Sequence, residues 1–186
     1  MKSRFATFAL VAALASCGDT AAETDTAVVD TPTVTLAPEV EDLFRRYDAL
    51  LERPGLFEDE DALQQLPAGD RALYVLWVVD GEINNGGFSQ YLYNTTATLH
   101  DEAVASARLI GAVRTAALLE RLPGVLGVAD VPENPDELQQ VAERLAPAQE
   151  AELGELDEEW FAAISVEIER RLIRYVREHP DAFSNP

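Results

Sequence analysis

ALYVLWVVDGEINNGGFSQYLYN, residues 72–94, is the stretch whose reading decides the fold. Val75, Val78 and Val79 favour a strand. The run from Asp70 to Glu82, however, is long, apolar on all sides and without strand neighbours, which predicts a central buried helix. Gly86-Gly87 can adopt backbone angles closed to other residues, so the pair is expected to end that helix and launch the next. Phe88, Tyr91 and Trp77 are then expected to pack together beneath the junction. Asn84 and Asn85 would satisfy its amides and carbonyls, and Gln90 and Asn94, one turn apart, would hydrogen-bond to it.

Helical signals continue on both sides. Val40, Leu43, Phe44, Tyr47, Leu50 and Leu51 line one face of a helix that starts at Pro38 and stops at Pro54-Gly55. A short helix or turn carrying Glu58-Asp59-Glu60-Asp61 ends near Pro67. Thr98-x-x-Asp101 has capping-box spacing and predicts a helix to about Leu122. Asn134-Pro135-Asp136-Glu137 places a capping Asn before Pro at the first helical position and predicts a helix to about Ala146. A last helix is expected from about Asp157, through Phe161, Ile164, Ile168, Leu172 and Tyr175, to His179-Pro180. Arg170, Arg171, Arg174 and Arg177 crowd its end, where cations suit the helix dipole. No repeats or alternating strand pairs occur. The expectation is a single all-α domain of about five to seven helices over residues 38–186.

The N-terminus is of another kind. Lys2 and Arg4 precede an apolar run from Phe5 to Leu14 and then Ala15-Ser16-Cys17, the layout of a secretory signal. The run is too short to span the ~30 Å hydrocarbon layer. Leu14-Ala15-Ser16-Cys17 resembles the lipobox of bacterial lipoproteins, which implies cleavage of residues 1–16 and lipidation of Cys17. Cys17 is the sole cysteine, so it can form neither an internal disulfide nor a thiolate metal cluster. Residues 17–37, rich in Thr, Ala and Asp, read as the lipidated cysteine and a flexible tether. Gly18 after the cysteine, where lipoproteins retained in the inner membrane carry Asp, points to the outer membrane, facing the periplasm.

Cleavage would leave twelve arginines against 34 acids, a net charge near −22. Such a balance repels nucleic acid and anionic head groups, so no nucleic-acid partner is expected and the lipid must supply membrane affinity. The acids concentrate at Glu58–Asp61 and from Glu150 to Glu159, where six of ten residues are acidic. That concentration fits a basic protein partner.

Trp77, the acids Asp80 and Glu82, Asn85-Gly86-Gly87-Phe88, Gln90-Tyr91 and Asn94 together resemble the signature of the DNA mimic protein nineteen-like domains. The likeness extends over roughly Val40 to Phe183, including Ala107–Ala112 and the final helix. It implies an acidic, all-helical fold. That family's named member is a dimer that imitates duplex DNA and occupies a transcription factor, so the resemblance also implies polyanion mimicry and a homodimer. The lipoprotein signal, by contrast, places this chain away from transcription factors, and a shared fold does not carry a shared partner.

No catalytic site, metal or cofactor is expected. Asp80-x-Glu82-x-Asn84 opens like a calcium loop, but Asn85 stands where Gly is needed and Tyr91 where the bidentate Glu belongs. His100 and His179 are the only histidines and lie far apart in sequence. Asp80 and Glu82 would point about 200° apart on a helix, poor geometry for an acid–base pair. The reading is a non-enzymatic, lipid-anchored acidic protein that binds a basic protein. The alternative is a small-ligand site or enzyme at a polar pocket floored by Trp77 and Tyr91 and lined by Asp80, Glu82, Asn85 and Gln90.

Overall fold

The computed structural model describes residues 37–53, 56, 60–94 and 96–184. The signal segment, Cys17, the tether to residue 36, the Pro54-Gly55 stop and Glu58-Asp59 lie outside the described residues. The helices are α1 (Pro38–Leu51), α2 (Glu60–Gln64), α3 (Ala68–Tyr93), α4 (His100–Leu109), α5 (Val113–Leu119), α6 (Leu122–Leu126), α7 (Pro135–Ala142) and α8 (Pro147–Glu178). Short 3₁₀ turns, Thr96–Leu99 and Pro180–Ala182, precede α4 and follow α8. Among the described residues there is no strand, and the helices form one all-α domain around one core.

The apolar run that admits either strand or helix is a helix, and it lies at the centre. Leu73, Val75, Leu76, Val79 and Ile83 of α3 are fully buried, as a helix apolar on every side must be. α8 runs antiparallel along α3. Asp70 accepts from the Ser184 amide (2.9 Å), Asp80 from the Ser165 hydroxyl (2.7 Å) and Asp157 from the Phe88 amide (2.7 Å), so numbers rise on one helix as they fall on the other. α1 covers another side of α3, with Leu43 and Leu50 buried. At 32 residues, α8 is about 48 Å long.

Four boundaries differ from the sequence expectation. The helix expected from Thr98 to Leu122 is instead α4 and α5, with α6 beginning at Leu122. Gly111 ends α4 at φ +72°, with its amide bonded to the Arg108 carbonyl and that of Ala112 to Ala107. This is a left-handed glycine closure that apolar periodicity alone does not reveal. Leu99, not Thr98, stands at the start of α4. The Asn134 cap is as expected, its side chain accepting from the Asp136 and Glu137 amides, but α7 ends at Ala142, four residues early. α8 begins at Pro147, ten residues before Asp157, with Pro in its first turn and the Gln149 side chain accepting from the Ala146 amide. The acidic run from Glu150 to Glu159 therefore lies within the first half of α8, with Glu150 in the first turn, where the helix dipole favours an acid.

Gly111 gives a test of this break. A Cβ there would make only ordinary contact, 3.8 Å from Arg171 Nη1. Gly111→Ala should thus cost only the left-handed backbone strain, about 1 kcal/mol in a urea melt.

Candidate functional site

The segment from Trp77 to Asn94 is built around the break in α3. Gly86 (φ −163°, ψ 26°) and Gly87 (φ 71°, ψ −173°) leave the helical region, dividing α3 into two arms. The second arm starts at the buried Phe88, whose amide has an acceptor on α8. Asp157 Oδ1 takes the Phe88 N–H at 2.7 Å. A Cβ on Gly87 would lie 2.5 Å from the same carboxylate. Gly87 is thus required twice, for its positive φ and for the room Asp157 occupies. The carboxylate caps the arm as an N-cap side chain would, but from a different helix. Gly86 is required for space alone, since a Cβ would collide with the Gln90 side chain.

The asparagines do not satisfy the junction. Asn84 Nδ2 donates to the Asp80 carbonyl (2.8 Å), to Asp80 Oδ1 (2.9 Å) and to Ser165 Oγ (2.9 Å), while Asn85 is exposed. Asp80 Oδ1 also accepts from Trp160 Nε1 at 2.9 Å and from Ser165 Oγ at 2.7 Å, tying α3 to α8. Glu82 turns the other way: its Oε2 accepts from Gln90 Nε2 (3.0 Å) and Asn94 Nδ2 (2.8 Å), bridging the two arms of α3. Gln90 and Asn94 therefore bind this carboxylate rather than the backbone of the junction.

The aromatic residues also divide. Phe88 packs edge-on to Tyr91 and to Trp160, with centroids 6.0 and 5.7 Å away, and all three are fully buried. Trp77 takes no part in that cluster. It packs instead against Phe44 and Tyr47 of α1. Of the six residues grouped by sequence, the structure joins only Glu82 and Gln90; Asp80, Asn85, Trp77 and Tyr91 each lie in different surroundings. Asp157, Trp160 and Ser165, which sequence reading left out, complete the arrangement. Their only signal is the α8 spacing that sets Trp160 and Ile164 inward.

Burial raises the Asp80 carboxyl above its ordinary value, against the hydrogen bonds from Ser165, Trp160 and Asn84. Burial also raises Asp157, with the Phe88 amide opposing it. His100 Nδ1 lies 3.5 Å from the Tyr91 hydroxyl; burial pushes the imidazole down and the phenol up. Among the described residues no group of three or more His, Cys, Asp or Glu is placed to hold a metal, and no helix is long and apolar enough to cross a membrane. An open groove of about 340 Å³ lies elsewhere, between α6 and α7, lined in part by Leu126, Val128, Val141 and Arg144.

A family model described as DMP19-like protein matches residues 64–179, which hold the broken α3, its glycine pair and all of α8. The chain belongs to the DMP19-like protein family. The match spans both sides of the Phe88–Asp157 contact, so this family assignment covers the junction as a whole. No curated protein and no solved structure matches the chain.

The Asp80 shift sets a pH dependence. A carboxyl raised in the fold gives stability that is present below its unfolded value, 3.8, and lost as pH rises through the raised value. Asp80→Asn keeps an acceptor but does not titrate. In urea melts the advantage of the parent over this variant should therefore grow as pH falls toward 3.8; an advantage that shrinks on acidification would reverse the assignment.

Proposed function

We propose that this protein is a non-catalytic, lipid-anchored acidic binding protein that engages a basic protein partner through the acidic end of its helical domain. One observation carries the reading: the segregation of free charge around the start of α8. From Asp130 to Glu159 there are eleven acids and one arginine, Arg144. Glu150, Glu152, Glu155 and Glu158 are all exposed on α8, as are Asp130, Glu133, Asp136 and Glu137 before and within α7. Asp157 does not belong to this surface, because the Phe88 amide holds it, and Glu159 is paired with Arg121 at 2.6 Å. Several kT of negative potential would gather over such a face and steer a cationic protein toward it.

Membership of the DMP19-like family supports a polyanion-like role for this surface. The lipobox-like start supports attachment through Cys17, and Gly18 supports the outer membrane, so the partner is sought in the periplasm. Chemistry at the signature is disfavoured because the carboxylates of Asp80 and Glu82 are committed to separate internal hydrogen bonds.

The test is capture of envelope proteins on the full chain and on a variant with Glu150, Glu152, Glu155 and Glu158 all changed to Gln. The partner should be basic, should elute by about 0.5 M salt, where exposed pairs are screened, and should be lost by the variant. A neutral partner, or one held equally by the variant and in high salt, would contradict the reading.

A further inference from the structure

A second feature lies apart from the acidic end, where α1 crosses α3. Phe44, 40% exposed, stands edge-on to Trp77 with centroids 4.9 Å apart, and Tyr47 stacks on the same indole at 5.6 Å. Trp77 is itself half-buried. One turn further along α3, Gly81 is exposed and a Cβ there would meet nothing within 4 Å, so no other group covers the helix surface at that position. Glu41 and Asp48 lie three residues before and four after Phe44, on the same side of α1, and both are exposed. The arginines nearby are engaged: Arg45 and Arg46 both pair with Asp42. The Tyr47 hydroxyl is pushed up to about 12 by burial first, then by Tyr74 and Asp48.

An exposed Phe44 ring beside the half-buried Trp77, flanked by carboxylates, suits one kind of group. Apolar side chains gain nothing from the carboxylates, and an anion is repelled by them. A cation is attracted by both ring and acid. Between the two cationic side chains, the flat and weakly hydrated guanidinium stacks on rings, whereas the ammonium holds its water. We propose that this ledge of Phe44, Trp77 and the uncovered helix surface at Gly81, flanked by Glu41 and Asp48, receives an arginine side chain of the basic partner. The inference rests on the reading of the protein as an acidic binding module and adds the point of specificity. The α7–α8 end draws a cation in, and the ledge selects arginine over lysine.

The test titrates the full chain with hexa-arginine and hexa-lysine peptides at low salt, followed by tryptophan fluorescence. Trp77 reports on the ledge, while Trp160 is fully buried. Hexa-arginine should bind about three- to fivefold more tightly, the worth of an exposed cation–π contact, and should perturb Trp77. Phe44→Leu, a change at an exposed helix position, should abolish that preference and leave hexa-lysine affinity unchanged. Trp77→Leu, followed by calorimetry, should do the same. Glu41→Gln with Asp48→Asn should weaken both peptides. Equal affinity for the two peptides, or an arginine preference that survives Phe44→Leu and Trp77→Leu, would overturn the ledge while leaving acidic binding intact. Binding of neither peptide would overturn both.

Discussion

A helix that turns in its middle strips backbone amides of their helical partners, and where such an amide is buried, as that of Phe88 is, water does not replace the lost bond. An unpaired buried amide costs as much as a lost hydrogen bond or more, so such a turn persists only where the fold delivers an acceptor to it. Here α3 breaks at Gly86-Gly87, and α8 brings the Asp157 carboxylate to the Phe88 amide. Several features of the core meet at this contact. Gly87 has no room for a side chain, α8 is held in register, and Phe88 is directed onto Trp160 and Tyr91 in the core.

The same device recurs along the chain. Glu167 of α8 accepts from the Thr115 amide (2.8 Å) and hydroxyl (2.9 Å), capping α5. Gln149 donates to the Val125 carbonyl at the end of α6, and Asp70 of α3 accepts from the Ser184 amide beyond α8. Short helices cannot supply all of their own terminal partners; in this domain polar side chains of the long helices α3 and α8 do so for their neighbours. The acids thus fall into two populations. Asp70, Asp80, Glu82, Asp157 and Glu167 take part in internal hydrogen bonds, and the set around α7 and the start of α8 is exposed. Net charge alone does not make that distinction, and it governs which substitutions would destabilise the domain and which would leave the fold intact.

Much of the fold is legible in the residues themselves. The all-round apolar character of residues 72–83, the three-to-four spacing of α1 and the Asn134-Pro135 start each act locally, through propensity and capping, and each element stands where those signals put it. The breaks at Gly111 and before Pro147 are signalled only by a glycine and a proline set in otherwise continuous helical pattern, so periodicity runs over the first and starts α8 too late. The site is less legible for a different reason. Trp77, Asp80, Glu82, Asn85, Gln90 and Tyr91 are close in sequence, but helical geometry turns neighbours outward in different directions. Trp160 and Ser165, the partners of Asp80, and Asp157, the partner of the adjoining Phe88 amide, come from some 70 to 85 residues away, and no local signal names a long-range hydrogen bond.

Native-state hydrogen exchange at the Phe88 amide tests the central contact most directly. If Asp157 caps the second arm of α3, this amide opens only with the whole domain, and its exchange free energy equals the global unfolding value measured by urea. In Asp157→Ala the protection of Phe88 should fall well below that of the core amides of Leu76 and Val79. A Phe88 amide that already exchanges like a frayed helix end in the parent protein, or that is unaffected by the loss of Asp157, would contradict the account.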